Sequence, residues 1–133
     1  MPEDSAALLA LDTIAPHEGQ RVAFIRRIVS DGSGYVALAE EEVAGYGVLE
    51  YNFFDNGFIS MLYVGAVHRR QGVGQALMEH MAKQCRSAKL FTSTNLSNLP
   101  MQTLLARLGY VLSGVIHNLD EGDPEVVYFK GKV

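Results

Sequence analysis

The chain has 133 residues, 48% of them hydrophobic, and a formal net charge of −4. This length and composition predict one globular domain with one core, residues 1–133. The negative charge argues against a generic nucleic-acid-binding protein, and the lack of a run of about 18 apolar residues argues against a membrane span. The single cysteine, Cys85, excludes an internal disulfide framework. Together with an N-terminus that carries no secretory signal, it predicts a cytoplasmic protein.

The first half of the chain predicts two helices followed by three strands. Residues 5–11 can form a short helix, and apolar side chains at helical spacing predict a second helix over residues 17–29. Strands are then predicted at residues 35–39, 43–51 and 58–64. The sequence Asp55-Asn56-Gly57 predicts a hairpin turn between the last two strands, so the sheet begins as an antiparallel run.

The second half alternates helices and strands, which predicts a mixed α/β (α+β) sheet. Strands are predicted at residues 89–94, 111–116 and 126–130. The first helix, residues 72–86, has a predicted buried stripe of Gly74, Leu77, Met78, Met81 and Cys85. The second helix carries Met101, Leu104, Leu105 and Leu108, and Gly109 stands at its expected C′ position.

The link between the third strand and the following helix predicts a phosphate-binding turn. Gly72 and Gly74 have no Cβ atoms, so a ligand can approach the backbone closely. The first helical turn presents N–H groups without intrahelical partners at the positive end of the helix dipole. Arg69 and Arg70 add positive charge beside it. These features together favour an anion site suited to a pyrophosphate.

Two common phosphate-binding motifs do not fit this turn. The P-loop needs Lys followed by Ser or Thr after its last glycine, where this chain has Gln75 and Ala76. The dinucleotide fingerprint needs a third glycine, where this chain has Leu77. The string Arg69-x-x-Gly72-x-Gly74, after a strand and before an apolar helix, instead resembles the acyl-CoA signature of the GNAT superfamily of N-acetyltransferases.

A second stretch supports the same resemblance. Asn98, the apolar helix after it, and Leu108-Gly109-Tyr110 look like the family's asparagine and its leucine-glycine-aromatic segment. The resemblance covers residues 21–130 and implies a central twisted sheet of about six strands flanked by helices. The family's first strand has no counterpart among the predicted elements, so the strand at 35–39 is expected at a sheet edge. A partner subunit in a homodimer could cover that edge, or the true start lies upstream.

The resemblance also implies acetyl-CoA as cosubstrate. In the family, the loop amides hold the CoA pyrophosphate and the preceding strand holds the pantetheine arm. Asn98 has two compatible interpretations, as a helix cap and as a contact of the CoA arm. Carried over to this sequence, the cofactor-binding residues are Leu62, Tyr63, Val64, Arg69, Arg70, Gln71, Gly72, Val73, Gly74, Gln75 and Asn98.

Two residues depart from the family pattern of acid–base catalysis. Many relatives use a tyrosine seven positions after the asparagine as general acid, and here that position is Leu105. Many also place a glutamate base on the strand before the loop, where the nearest match here is Ser60. A thiolate leaves readily because a thiol pKa is roughly 8.5, whereas neutralising an amine of pKa near 10.4 at pH 7 costs about 4.6 kcal/mol. We therefore expect the missing base to matter more than the missing acid.

Several groups could act in place of the missing residues. Glu50, late in the second predicted strand, is the first candidate for the base, and His68 is the second because histidine titrates near neutral pH. Tyr51 and Tyr63 are possible proton donors, and a chain of water molecules is another route. A main-chain N–H near Val64 could stabilise the oxyanion.

The acidic loop at residues 120–125, with Asp120 and Glu121, would attract a cationic amine, and the alternative is an ordinary solvated loop. The four histidines lack metal-ligand spacing, so we predict no metal site. The sequence thus predicts an N-acetyltransferase that acts on a small amine or a protein amino group. The alternatives are a non-catalytic acyl-CoA-binding module and an interaction protein that keeps the fold without the ligand.

Overall fold

The computed structural model describes residues 24–27, 34–39, 42–66 and 72–131. The described helices are α1 (Val73–Gln84) and α2 (Leu99–Arg107). The described strands are β1 (Phe24–Arg27), β2 (Gly34–Ala39), β3 (Glu42–Phe53), β4 (Asn56–Val64), β5 (Lys89–Asn95), β6 (Val111–Ile116) and β7 (Glu125–Gly131). These seven strands form one sheet in the order β1-β2-β3-β4-β5-β7-β6. The β4–β5 pair is parallel, whereas β1–β2, β2–β3, β5–β7 and β6–β7 are antiparallel.

Strand β1 corrects two expectations. Its residues belong to the helix predicted over 17–29, but they pair antiparallel with β2, from Phe24 opposite Leu38 to Arg27 opposite Tyr35. The strand at 35–39 is therefore not at the sheet edge. A four-residue segment such as Phe24–Arg27 is too short for its periodicity to distinguish helix from strand, and here pairing with the backbone of β2 decides between them. The remainder of that helix and the helix at 5–11 lie outside the described residues.

The β3–β4 hairpin is present, but its turn lies one residue earlier than Asp55-Asn56-Gly57 suggests. Phe54 and Asp55 form the turn, with φ of 51° and 64°. Two successive positive φ angles are the requirement of a type I′ turn, which matches the twist of antiparallel strands. The Asn56 side chain donates a hydrogen bond of 3.1 Å to the Phe54 carbonyl, so the asparagine supports the turn from the first position of β4.

The chain divides into two compact units. The first contains the described residues up to Leu49 together with Met61–Gln84. Its core combines the fully buried strand β2 with four buried side chains of α1, namely Val73, Leu77, Met78 and Met81. Gly45 on β3 allows close packing, because a Cβ atom there would lie 2.6 Å from the Tyr63 carbonyl and 3.0 Å from a Val73 methyl group. The end of β4 and the start of α1 therefore both pack against β3.

The second unit contains Glu50–Ser60 and Cys85–Val133. Four phenylalanine rings, contributed by β3, β4, β5 and β7, stack in a row with centroids 4.9–5.3 Å apart: Phe53, Phe58, Phe91 and Phe129. Buried side chains of this unit include Ile59, Leu90, Thr92, Leu105 and Tyr110. The Thr92 hydroxyl donates to the Ile59 carbonyl at 2.8 Å, so the buried polar atom is satisfied where β4 meets β5.

Both ends of α2 are capped, as the sequence predicts. The Asn98 side chain accepts a hydrogen bond of 3.2 Å from the Met101 N–H. At the other end Gly109 has φ +91°, and the N–H groups of Gly109 and Tyr110 bond to the carbonyls of Ala106 and Leu105 at 3.1 and 2.9 Å. This pair of bonds is the Schellman motif, which requires the left-handed residue that glycine supplies. Among the described residues, neither helix is long and apolar enough to cross a membrane.

Candidate active site

The start of α1 has the geometry of an anion site. Gly72 precedes the helix with φ +81°, and a Cβ atom built on it would meet no atom of the described residues within 4 Å. The first helical hydrogen bond runs from the Ala76 N–H to the Gly72 carbonyl at 2.9 Å. The N–H groups of Val73, Gly74 and Gln75 precede that bond, so they have no acceptor within the helix. Open space beside donor groups at the positive end of a helix fits a pyrophosphate.

The end of β4 adjoins this turn within the same unit. Leu62, Tyr63 and Val64 are its last residues, and all three are partly exposed. The Tyr63 ring lies 5.6 Å from the Tyr46 ring, and the Gly65 N–H donates to the Ala44 carbonyl at 2.8 Å. These contacts hold the strand end against β3. Four predicted site residues, His68, Arg69, Arg70 and Gln71, lie outside the described residues.

Glu50, the first candidate base, contacts Ser60. The Ser60 hydroxyl donates to Glu50 Oε1 at 2.7 Å, with Glu50 half-buried on β3 and Ser60 exposed on β4. Tyr51 has a different environment, because its hydroxyl accepts from the Arg86 N–H at 3.0 Å and the Arg86 guanidinium lies 4.1 Å above its ring. Tyr51 thus anchors the chain that leaves α1, which favours a packing role over proton donation.

Sequence reasoning missed a second serine–carboxylate pair. The Ser93 hydroxyl on β5 donates to Glu125 Oε2 on β7 at 2.6 Å. The alternation along β5 could have placed Ser93 on the same face as Phe91. Its partner could not be identified, because the β5–β7 register joins segments about thirty residues apart and depends on the fold.

The acidic loop is held by hydrogen bonds to the segment after β5. Asp120 Oδ2 accepts from the Asn95 side chain at 2.8 Å. Asp123 accepts from the Ser97 N–H at 3.0 Å and from the Ser97 hydroxyl at 2.6 Å. Glu121 is exposed, and with Asp120 it borders a shallow open cavity of about 250 Å³. The loop is therefore more ordered than a simple solvated loop, because the carboxylates of Asp120 and Asp123 hold it in place.

Asn98 and Leu105 have structural roles that the geometry explains. The Asn98 side-chain oxygen is used by the helix cap described above, which confirms that interpretation. Leu105 is fully buried, with 0% of its surface exposed, so it belongs to the core of the second unit. It is the one buried residue of α2, although Met101, Leu104 and Leu108 share its predicted stripe.

Tyr110 is buried beside the predicted core cysteine. Its hydroxyl oxygen has no hydrogen-bond partner among the described residues. Burial, with a smaller effect of Cys85, raises the pKa of Tyr110 to about 12. Cys85 itself is 2% exposed, and its sulfur lies 3.3 Å from the Ser87 hydroxyl, so it lies in the core as predicted. Such a tyrosine stays protonated and packs; it is a poor proton donor.

The described histidines do not form a metal site. The His80 ring packs edge-on against the Tyr35 ring at 5.4 Å, and its pKa is lowered by burial and by the neighbouring charge of Lys83. His117 is exposed before the acidic loop. Within residues 34–39, 42–66 and 72–131, no three His, Cys, Asp or Glu side chains are grouped as metal ligands.

Comparisons with known proteins now identify the class. Residues 6–110 match the family model described as "Acetyltransferase (GNAT) family". A GNAT-family acetyltransferase from Bacillus cereus is 33% identical, with a TM-score of 0.75 over 79% of this chain and 74% of the other. Nourseothricin acetyltransferase is 21% identical, with a TM-score of 0.74 over 98% and 94%. A protein from Bacillus anthracis, solved in complex with acetyl coenzyme A, is 19% identical, with a TM-score of 0.69 over 75% and 62%.

A search among curated proteins finds no significant match. The fold and the family match together define an N-acetyltransferase. The chain belongs to the GNAT acetyltransferase family. The family, the fold class and the enzyme class predicted from the sequence are thereby confirmed. The sheet has seven described strands where about six were expected, and β1 pairs with β2 where the sequence predicted an exposed edge.

Proposed function

We propose that the protein transfers an acetyl group from acetyl-CoA to a primary amine, on a small molecule or a protein amino group. The observation that carries this proposal is the start of α1, where no described residue approaches the Cα of Gly72 beside three helix N–H groups without helical acceptors. Membership of the family and the acetyl coenzyme A complex of the Bacillus anthracis protein support the same cosubstrate.

The cofactor contacts are divided between a strand and a turn. The N–H groups of residues 72–75 hold the pyrophosphate, and the strand end, residues 62–64, holds the pantetheine arm. Arg69, Arg70 and Gln71 are proposed from the sequence as further contacts of the phosphates, and Asn98 as a contact of the arm in addition to its cap. Bound acetyl-CoA supplies an activated thioester carbonyl.

The chain's own task is to prepare the amine. Glu50 accepts the proton of the ammonium group, so that the nitrogen lone pair can attack the thioester carbonyl, with His68 as the second candidate. Leu105 cannot donate a proton to the leaving thiolate. The thiolate therefore leaves unprotonated or takes a proton from water, because a thiol pKa of roughly 8.5 makes it a good leaving group.

The acidic loop recruits the acceptor. Asp120 and Glu121 border the shallow cavity, and their negative charges attract a cationic amine. Both carboxylates are exposed, and Asp120 also accepts a hydrogen bond from Asn95.

We also propose a cytoplasmic enzyme in which residues 1–133 act as one domain, in keeping with the single Cys85. The homodimer proposed from the sequence cannot rest on an exposed β2, because β1 covers it. Strand β6 provides a different reason, since it ends the sheet with Val111, Leu112, Val115 and Ile116 41–61% exposed. Light scattering of the purified protein would give the oligomeric state.

The decisive experiment is an amine panel assayed for release of free CoA thiol, with acetyl-CoA binding measured in parallel. Amine-dependent thiol release supports the acetyltransferase. Tight acetyl-CoA binding without release for any amine would favour a non-catalytic acyl-CoA-binding module, a reading suggested by Leu105 and Ser60 at the positions of the family's acid and base. Absence of acetyl-CoA binding would refute both.

A further inference from the structure

Ser60 occupies a distinctive place in the sheet. The parallel β4–β5 register runs from Gly57 opposite Leu90 to Ile59 opposite Thr92. Ser60 is the β4 residue that follows these paired positions, and Ser93 is its counterpart on β5. Since side chains alternate along a strand, Ser60 shares a sheet face with Phe58, and Ser93 shares it with Phe91. Phe58 and Phe91 are aligned partners, so both serines lie on one face of the sheet.

Each serine donates its hydroxyl hydrogen to a glutamate on the strand beyond it. Ser60 bonds to Glu50 of β3 at 2.7 Å, and Ser93 bonds to Glu125 of β7 at 2.6 Å. A hydrogen bond between a hydroxyl and an ionised carboxylate is among the stronger ones, and it restricts the rotation of the acid side chain. The two pairs are thus chemically alike and lie on opposite sides of the β4–β5 junction.

We propose that Ser60 is a positioning residue for the acetyl transfer. Its hydroxyl fixes the Glu50 carboxylate through Oε1, which leaves Oε2 to accept the proton of the ammonium group. The proposal rests on the proposed function and on Glu50 as its base. The ammonium nitrogen loses one proton to Glu50 and forms the new bond to the acetyl carbon, while the carbon–sulfur bond breaks and its electrons leave with the thiolate. The nitrogen then gives its second proton to water, which leaves the neutral amide.

Two further polar side chains of the described strands have partners of their own. The Tyr51 hydroxyl, next along β3, accepts from the Arg86 N–H, and the Arg86 guanidinium lies over its ring at 4.1 Å. Glu125, on the same face as Glu50, is bonded to Ser93. Among the described residues, Ser60 is therefore the residue whose side chain makes a direct hydrogen bond to the Glu50 carboxylate.

The test compares kcat from pH 6 to pH 10 in the wild type, Ser60→Ala, Ser60→Thr and Ser93→Ala. Ser60→Ala should lower kcat about 3- to 10-fold, less than the roughly 10²–10⁴-fold loss expected for Glu50→Gln. Ser60→Thr keeps the hydroxyl and should restore the wild-type profile, and Ser93→Ala is the matched control.

A double mutant separates positioning from a general structural effect. If Ser60 acts through Glu50, adding Ser60→Ala to Glu50→Gln should change kcat no further. The proposal would be overturned by an equal loss of kcat in Ser93→Ala, by an unchanged kcat in Ser60→Ala, or by no rescue in Ser60→Thr. Wild-type activity in the same assay would leave the proposed function intact. A Glu50→Gln variant with the wild-type profile would also overturn it, and a wild type without amine-dependent CoA release would overturn the function as well.

Discussion

Truncation of Leu105 tests whether the position of the family's general acid has become a packing position. Leu105 is fully buried, and the backbone around it is fixed by the two hydrogen bonds of the α2 Schellman motif. A Leu→Ala change in a buried site costs about 2–5 kcal/mol, with the larger losses where the surroundings cannot collapse into the cavity. Because this backbone is constrained, we expect the free energy of unfolding to fall by roughly 3–5 kcal/mol.

The matched control is Leu99→Ala at the start of the same helix. Leu99 is 65% exposed, so the same chemical change should cost less than about 1 kcal/mol. Urea unfolding of the wild type and both variants measures the difference, and similar m-values would show that the unfolded states are comparable.

The same variant tests the chemistry. Leu105 has no proton to give, so kcat measured where Leu105→Ala is still folded should stay within about twofold of the wild type, well short of the 10²–10⁴-fold contribution of a general acid. A stability loss below about 1 kcal/mol would contradict the assignment to the core. A large fall in kcat with unchanged stability would show that this position takes part in the reaction.

Three further outcomes are expected. Acetyl-CoA at about 100 times its dissociation constant should stabilise the fold by about 2.7 kcal/mol, and Gly74→Val should remove that shift in thermal unfolding, whereas an unchanged shift would refute the pyrophosphate site. Asp120→Asn with Glu121→Gln should raise KM for amines, reduce its salt dependence and leave acetyl-CoA affinity unchanged; kinetics equal to the wild type would remove the loop from acceptor binding. Between about pH 10 and about pH 12, Tyr110 ionises only in the unfolded state, so the wild type should lose stability as the pH rises through this range. Tyr110→Phe should abolish that loss. Urea titrations of the variant that still show the same loss would contradict this expectation.

The sequence by itself determined the local structure and the family. Some features depend on only a few neighbouring residues and can be predicted from the sequence directly. They are the glycines before α1, the apolar stripe of that helix and both caps of α2. The hairpin was also predictable, although the positive φ angles belong to Phe54 and Asp55, so the turn begins one residue before the predicted Asp55-Asn56-Gly57. In each case the physical cause is local in sequence, because backbone conformation and side-chain periodicity depend on residues only a few positions apart.

Only the tertiary structure decided the features that depend on pairing between distant strands. Residues 24–27 have apolar spacing that suits a helix, but hydrogen bonding to β2 makes them a strand. The bond between Ser60 and Glu50 requires the β3–β4 pairing, and the bond between Ser93 and Glu125 requires β7 to lie beside β5. Strand register sets which side chains meet across the sheet, and it is settled by the packing of the whole fold because no short segment of the chain encodes it.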